Sequence, residues 1–177
     1  GYNDPDGGRG SGAVMSLDIM GVNYFFNQQP KWDADPRYAN KPTIGSETSS
    51  CVTTRGEYFF ANNPYRNWQI SSYDQTKPDW GCSPDDQFRT NARFPHLLGE
   101  YVWTGFDYLG EPTPYNSDET NLLNFRTDPR KKAELEKQLE LIRKNNPPSR
   151  SSYFGIIDLA GFKKDRFYLY QSHWRPD

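Results

Sequence analysis

The sequence predicts an α/β fold that forms part of a (β/α)8 barrel. Three short apolar runs, each bounded by turn residues, have the length and composition of buried strands. Long connecting segments separate these runs, which favours parallel pairing with the connections packed on the sheet. A complete barrel of this kind takes about 250 residues, whereas this chain has 177 residues.

The three predicted strands contain or end in polar and aromatic side chains. They cover residues 17–25, 43–47 and 99–108. Asn23 and Tyr24 lie near the end of the first strand, Glu47 ends the second, and Trp103 lies in the third. Ligands of parallel α/β sheets bind beyond the carboxyl ends of the strands, so these four side chains are candidates for a functional site.

Two polar stretches are predicted as loops. Residues 1–12 are rich in Gly, Asp and Pro, and residues 48–93 are dense in Asn, Asp, Ser, Pro and Tyr. A loop of the second length is usually functional or carries irregular helices. Between the two, a polar segment with Trp32 and Tyr38 is predicted to cover the first strand as a helix or turn.

Two helices are predicted in the second half of the chain. One begins at Asp128 as N-cap, is followed by proline at the first helical position, and ends before Asn145. Its apolar face consists of Leu135, Leu139 and Ile142. The other covers residues 165–174 and is expected to turn its aromatic side chains inward.

Composition and charge exclude several classes of protein. With 21 basic and 23 acidic residues, the net charge is −2, so the chain lacks the positive charge that nucleic acids and anionic membranes attract. Aromatic residues make up 16% of the chain, which is too many for a disordered protein. No apolar stretch approaches the roughly 18 residues of a membrane span.

The histidines and cysteines show no metal-ligand spacing. His96 and His173 lie far from each other and from Cys51 and Cys82, so we predict neither a metal nor another cofactor. The two cysteines could pair in an oxidising compartment or remain thiols in a reducing one, and the sequence leaves both states open.

The four side chains at the strand ends suit carbohydrate chemistry. A Glu in the position of Glu47 is most often a surface or ion-paired residue, and Trp103 is more often a core residue. At the mouth of a barrel, however, a carboxylate can be catalytic, and an indole can stack on the apolar face of a sugar ring. Asn23 and Tyr24 add hydrogen-bonding groups on the first strand.

Longer motifs resemble glycoside hydrolase family 2 and, more narrowly, its bacterial β-galactosidases. The most specific motif is Trp-Thr-Gly-Phe-Asp-Tyr with its continuation Leu-Gly-Glu-Pro-Thr-Pro-Tyr, and the resemblance runs over essentially the whole chain. It implies that the three strands are the last three of the catalytic barrel, with their helices and long βα loops. The matching segments are residues 45–50, 54–59, 103–115 and 152–162.

The resemblance also implies roles for single residues. Glu47 matches the family's nucleophile, Tyr24 the tyrosine that hydrogen-bonds it, and Trp103 the indole beneath the sugar. The family's reaction is retaining hydrolysis through a covalent glycosyl-enzyme, in which a second carboxylic acid protonates the leaving oxygen. The predicted substrate-binding residues are Asn23, Tyr24, Trp103, Asp107 and Glu111.

One part of the family's machinery is missing from the sequence. The acid/base Glu of the family follows an Asn, and the chain contains no Asn-Glu pair. We therefore expect residues 1–177 to be one fragment of a barrel, inactive alone, whose acid/base lies upstream in a longer parent or in a second chain. The substitutes available within the chain are Glu57, Glu100 and Glu111.

The resemblance narrows the substrate to neutral sugars. Related glucuronidases hold the sugar carboxylate with Asn-x-Lys before a Gly-Ile pair, whereas this chain has Ser152-Tyr153-Phe154 before Gly155 and offers no cation there. The predicted substrate is a terminal β-galactoside of an oligo- or polysaccharide, and the expected location is periplasmic or secreted. The alternatives are a carbohydrate-binding module and an inactive barrel remnant.

Overall fold

The computed structural model describes residues 1–3, 7, 12–24, 27–60, 65–66, 69–78, 80–109, 133, 137, 140 and 151–175. The chain divides into two compact units. The first unit comprises Gly1–Cys51 and Lys77–Gly105, and the second comprises Val52–Thr76 and Phe106–Asp177.

Two sheets are present in the described part of the chain. The strands are β1 (Met20–Asn23), β2 (Thr43–Ser49), β3 (Tyr65–Arg66), β4 (Gln69–Ile70) and β5 (Leu97–Trp103). In the first unit, β1, β2 and β5 form a parallel sheet with β2 in the centre. In the second unit, β3 and β4 form a short antiparallel pair. The predicted α/β class and the parallel pairing are therefore confirmed.

The first residues of the chain extend the parallel sheet beyond β1. Tyr2 forms a parallel bridge with Val22, the Tyr2 N–H donates to Gly21 O at 3.0 Å, and the Asn23 N–H donates to Tyr2 O at 3.0 Å. The prediction that residues 1–12 are loop throughout is thus wrong at Tyr2. The pairing is a tertiary contact, which the turn-forming composition around Tyr2 does not show.

The described helices are α1 (Gln29–Asp33), α2 (Pro84–Arg93) and α3 (Asp165–Trp174), with a 3-10 turn at Ala13–Ser16. Helix α2 lies within the stretch predicted as a long loop. Its first residues are typical of a helix N-terminus. The Ser83 side chain accepts a hydrogen bond from the Asp86 N–H, and proline occupies the first helical position. The loop prediction for residues 48–93 is therefore wrong over this helix.

The core of the first unit lies between β1 and the segment that follows it. Trp32 is 1% exposed and Tyr38 is 4% exposed, and both belong to the cluster that contains the side chains of β1. The prediction that this polar segment covers the first strand is confirmed. The cluster consists of Val14, Met20, Val22, Trp32, Tyr38 and Leu97.

Helix α3 confirms the predicted bounds of the last helix but not all of its predicted packing. Tyr170 is buried at 1% exposure, whereas Tyr168 and Trp174 are exposed at 57% and 48%. Aromatic residues thus lie on more than one face of the helix, and only one face is covered.

The second unit also contains a parallel bridge between Phe106 and Ile157.

The second and third predicted strands begin or end at other residues in the structure than in the prediction. The second strand continues to Ser49, and the third covers Leu97–Trp103 instead of residues 99–108. After Trp103 the chain passes into the second unit, where Phe106 pairs with a different segment. The apolar face of the helix predicted from Asp128 lies outside the described residues. Ala133, Lys137 and Glu140 of that helix are described and are helical and exposed. Among the described residues, no helix is both long and apolar enough to cross a membrane.

Candidate active site

Tyr24 and Glu47 meet at the carboxyl ends of two adjacent parallel strands. The Tyr24 hydroxyl donates to Glu47 Oε2 at 2.6 Å, and the Tyr24 N–H donates to Glu47 O at 3.0 Å. Tyr24 has a φ of 56°, a left-handed conformation that bulky side chains rarely adopt, so the surrounding contacts must hold it in place. The structure thus brings together the two residues that the sequence singled out as carboxylate and hydroxyl donor.

An irregularity in the pairing of β1 with β2 sets this arrangement. Val22 pairs with Gly45, but the next residue, Asn23, pairs with Glu47, so Ser46 is the additional residue on β2. A bulge of this kind changes the direction in which the following side chain points. Here the residue after the irregularity is Glu47, which is half-buried.

The Asn23 side chain forms hydrogen bonds with residues of two neighbouring segments, β2 and the first residues of the chain. The Ser46 hydroxyl donates to Asn23 Oδ1 at 2.7 Å, and Asn23 Nδ2 donates to Asn3 Oδ1. Asn23 is only 8% exposed. Both ends of its amide therefore have protein partners, so the observed role of Asn23 is to hold the strand ends together. Direct binding of a substrate by Asn23 stays a prediction.

Besides the buried Trp32, two partly exposed indoles of the first unit are described, those of Trp103 and Trp80. Trp103 is the last residue of β5, where it pairs with Ser49 of β2, and it is half-buried. Trp80 packs against Tyr24, with ring centroids 4.5 Å apart, and is 44% exposed. Sequence reasoning missed Trp80, since nothing but its aromatic character marks it within a long polar stretch.

Glu100 lies on the opposite face of the sheet from Glu47. The Thr48 hydroxyl donates to Glu100 Oε2 at 2.7 Å, and Asn91 Nδ2 on α2 donates to Glu100 Oε1 at 3.2 Å. Thr48 directly follows Glu47, and successive side chains of a strand point to opposite faces. Burial raises the pKa of Glu100. Glu100 therefore faces α2, and its described hydrogen-bond partners are Thr48 and Asn91.

Asp107 belongs to the second unit, where it forms a buried ion pair. Lys164 Nζ lies 2.7 Å from Asp107 Oδ1, and the Gly155 N–H donates to the same oxygen at 2.8 Å. Lys164 Nζ also donates to the carbonyls of Thr53 at 2.8 Å and Tyr153 at 3.3 Å. Burial lowers the pKa of Lys164 to about 8 and raises the pKa of Asp107, while the attraction between the two charges opposes both shifts.

Glycine at position 155 allows the backbone to pack closely against Asp107. A Cβ on Gly155 would lie 2.0 Å from Asp107 N and 2.4 Å from Phe106 C, both backbone atoms. The close approach lets the Gly155 N–H reach the Asp107 carboxylate.

Asp107 was predicted to bind substrate, and its observed partners are protein groups on Oδ1. Among the other candidates, Glu57 lies in the second unit, and Glu111 lies outside the described residues.

Sequence reasoning missed the buried cations Lys164 and Arg166. The run Lys-Lys-Asp-Arg at residues 163–166 is typical of a solvated helix start, yet Lys164 is 2% exposed and Arg166 is 1% exposed. Arg166 Nη2 donates to Phe154 O at 2.8 Å, and its Nε lies 3.3 Å from Asp74 Oδ1. Their burial depends on acceptors from distant parts of the chain.

The two cysteines are buried thiols. Cys51 and Cys82 are 0% and 1% exposed, and the Cys51 thiol donates to Cys82 O at 3.4 Å without forming a disulfide. Burial raises the pKa of Cys82 to about 12. Of the two states that the sequence left open, the structure contains the reduced one. Within the described ranges, no group of three or more His, Cys, Asp and Glu side chains is placed to hold a metal.

Comparison with known proteins identifies the family. No protein-family model matches the chain. The chain is 33% identical over 187 residues to the β-galactosidase BoGH2A of Bacteroides ovatus, an alignment that covers 98% of this chain. The resemblance to glycoside hydrolase family 2 is confirmed. The chain spans 18% of the length of this relative.

Solved glycosidases of this kind share the fold. A β-glycosidase from Bacteroides vulgatus superposes with a TM-score of 0.55 at 22% identity, over 89% of this chain and 20% of that one. A β-glucuronidase from Ruminococcus gnavus gives a TM-score of 0.55 at 13% identity, over 91% of this chain and 23% of that one. At these identities the likeness shows the fold alone. The similarity to BoGH2A supports a glycosidase-like class for the chain.

Proposed function

We propose that this chain carries the nucleophile of a retaining β-galactosidase, with Glu47 as that nucleophile. The observation that supports the proposal is the Tyr24–Glu47 hydrogen bond of 2.6 Å at the carboxyl ends of β1 and β2. Glu47 Oε1 makes no hydrogen bond to any described residue, so one carboxylate oxygen is held and the other is available for attack. The same hydrogen bond fixes the orientation of the Glu47 carboxylate.

The proposed reaction has two steps. Glu47 Oε1 attacks the anomeric carbon, and the bond to the leaving oxygen breaks as a second carboxylic acid gives that oxygen its proton. The second carboxylate then takes a proton from water, which attacks the anomeric carbon and releases Glu47. In retaining enzymes the two carboxyl groups lie about 5–5.5 Å apart. Trp103 is proposed to support the sugar ring, whose apolar face stacks on indole.

We propose that the second carboxylic acid lies outside this chain, in the same longer polypeptide. The sequence contains no Asn-Glu pair, and Glu100 faces α2 on the other side of the sheet. The curated relative is about five times longer than the matched segment, which covers 18% of its length. In this proposal β1, β2 and β5 are the last three strands of a (β/α)8 barrel, and the remaining domains of the parent enzyme are its partners.

A neutral hexoside is the proposed substrate, and galactose the proposed sugar. Ser152 and Phe154, which match the Asn and Lys of glucuronidases, are both 0% exposed. The buried cation nearest to them in sequence, Lys164, is paired with Asp107. A sugar carboxylate would therefore find no cation at these positions. We also propose a periplasmic or secreted location for the parent enzyme, which would act on a terminal β-galactoside of an oligo- or polysaccharide.

The test is covalent trapping in the full-length protein. A 2-deoxy-2-fluoro-β-galactoside with a good leaving group should form an ester on Glu47, because fluorine destabilises the oxocarbenium-like transition state and slows release. Peptide mapping locates the label. Tyr24→Phe should slow labelling by about 10–100-fold, the effect of losing one hydrogen bond to a charged group. Glu57→Gln, a matched change in the second unit, should label at the wild-type rate.

Other results would contradict the assignment. A label on another Glu with Glu47 unmodified would show that Glu47 is not the nucleophile. If no label forms but β-galactosides still bind, the chain belongs to a carbohydrate-binding module. If neither labelling nor binding occurs, it belongs to an inactive remnant.

A further inference from the structure

The second unit contains a cavity, with charged and hydroxyl-bearing residues in its lining, that the reaction proposed for Glu47 does not use. Its volume is about 320 Å³, and the residues that line it include Thr54, Arg55, Asp107, Asp158 and Lys164. Ligand pockets of proteins begin at about 300 Å³, so this cavity has the size for one small ring and not for a long chain.

Hydrogen bonds fix one side of the cavity. Lys164 Nζ has three acceptors, Asp107 Oδ1 and the carbonyls of Thr53 and Tyr153, at 2.7, 2.8 and 3.3 Å. An ammonium group donates three hydrogen bonds, so Lys164 is fully used. This side is therefore rigid, and Lys164 has no donor left for a ligand.

Arg55 and Asp158 fix another part of the lining. Arg55 Nε donates to Asp158 Oδ2 at 2.6 Å, and the Arg55 guanidinium lies 4.6 Å from the ring centroid of Phe162. Asp158 Oδ1 accepts the N–H groups of Ala160 and Phe162 at 2.9 and 2.8 Å. A carboxylate with these partners and a guanidinium stacked on a ring keep one geometry. These contacts lower the pKa of Asp158.

Three lining residues keep unused hydrogen-bonding atoms. Within the described residues, Arg55 uses only Nε, so Nη1 and Nη2 remain as donors. Asp107 accepts only on Oδ1, so Oδ2 remains as an acceptor, and the Thr54 hydroxyl has no partner in this part of the chain. The cavity therefore offers donors, an acceptor and a hydroxyl together.

The charges of the cavity favour a neutral ligand. Its two cations and two anions are paired, Lys164 with Asp107 and Arg55 with Asp158. The formal charge of the lining is thus zero, and an anionic or cationic ligand would have to break one of these pairs. A polyhydroxylated ring satisfies mixed donors and acceptors without carrying a charge.

We propose that this cavity binds one neutral sugar unit of a saccharide, with Arg55, Asp107 and Thr54 as its hydrogen-bonding residues. The site deepens the proposed function and rests on it, because the resemblance already implied that Asp107 binds substrate, but none of its proposed hydrogen-bonding residues is Glu47, Tyr24 or Trp103. It explains why an aspartate next to the Trp-Thr-Gly-Phe motif keeps one carboxylate oxygen unused although Lys164 and Gly155 hold the other.

The test measures sugar binding to the full-length protein without turnover. Glu47 is first blocked with the fluorinated galactoside, or left untreated if Glu47 takes no label, and methyl β-D-galactopyranoside is titrated by saturation-transfer NMR. Thr54→Val removes one hydroxyl at constant shape, and Arg55→Lys keeps the charge but removes the two Nη donors. Each should raise the dissociation constant about 3–10-fold, the effect of one or two hydrogen bonds. Ser172→Ala, a hydroxyl removal on the exposed part of α3, should not change it.

Three outcomes would overturn the proposal. The blocked protein could fail to bind the probe, which is also expected if other parts of the parent chain fill the cavity. Both variants, each shown to be folded by its circular dichroism spectrum, could bind like wild type. Glucuronate or sulfate could bind more tightly than the neutral probe, which would show an anion site. Failure to label Glu47 is a separate result, because this readout is binding and not turnover.

Discussion

Replacing Lys164 by methionine should open the second unit around Asp107. Lys164 is 2% exposed, and its ammonium group is the charged partner of Asp107, itself 7% exposed. Methionine has a similar length and fills the space, but among the described residues it leaves the Asp107 carboxylate with only the Gly155 N–H as hydrogen-bond partner. It also leaves the Thr53 and Tyr153 carbonyls without this donor.

The size of the effect follows from the burial of both charges. Removing one partner of a buried ion pair destabilises a protein by about 3–5 kcal/mol, because an uncompensated charge remains. Since 1.36 kcal/mol is a factor of ten, the protection of amides in this region against hydrogen exchange should fall by about 100-fold or more. Adding Asp107→Asn to Lys164→Met removes the stranded charge, so the double variant should recover part of the loss.

Hydrogen exchange with mass spectrometry measures this prediction in the full-length protein. The peptides to compare contain Thr53, Asp107 and Gly155, the segments that Lys164 joins. The matched control is Lys163→Met, the neighbouring lysine, which is exposed and contacts the Phe167 ring from 4.3 Å. It should cost no more than about 1 kcal/mol. Unchanged exchange in Lys164→Met, or a double variant less protected than either single one, would refute the reasoning.

Three further predictions concern pH, thiols and the indole. The folded-state pKa of Lys164, about 8, lies below the ordinary lysine value of 10.5. Between these pH values the unfolded chain keeps a proton that the folded chain has lost, so this group adds about 1.4 kcal/mol of stability per pH unit. Urea unfolding should therefore show a larger penalty for Lys164→Met at pH 9.5 than at pH 7.5, and an equal penalty would contradict it. Cys51 and Cys82 should resist iodoacetamide until the protein unfolds, as peptide mapping would show, because both are buried and the pKa of Cys82 is about 12. Trp103→Ala should lower kcat/KM for a galactoside by the equivalent of about 1–3 kcal/mol; an unchanged value would make Trp103 a core residue.

Local sequence patterns predicted the three strands of the first unit's parallel sheet. The runs around Met20, Thr43 and Trp103 have the apolar character of buried strands, and all three are strands of one parallel sheet. Helix α2 was missed although Ser83 and the following proline mark its start, because the surrounding stretch reads as loop. The bridge between Tyr2 and Val22 was also missed, because it joins segments that are separated along the chain.

The sequence alone determined the α/β class and the family resemblance, and the resemblance implied the pairing of Tyr24 with Glu47. The class depends on apolar runs and turn residues and the resemblance on motifs, all of which are local along the chain. Tertiary structure alone decided that Glu100 faces α2 and that Lys164 is buried. Lys164 is held by a carbonyl 111 residues away, at Thr53, and by Asp107, 57 residues away. A buried charge is stable only where such distant partners meet it, and no local pattern encodes their meeting.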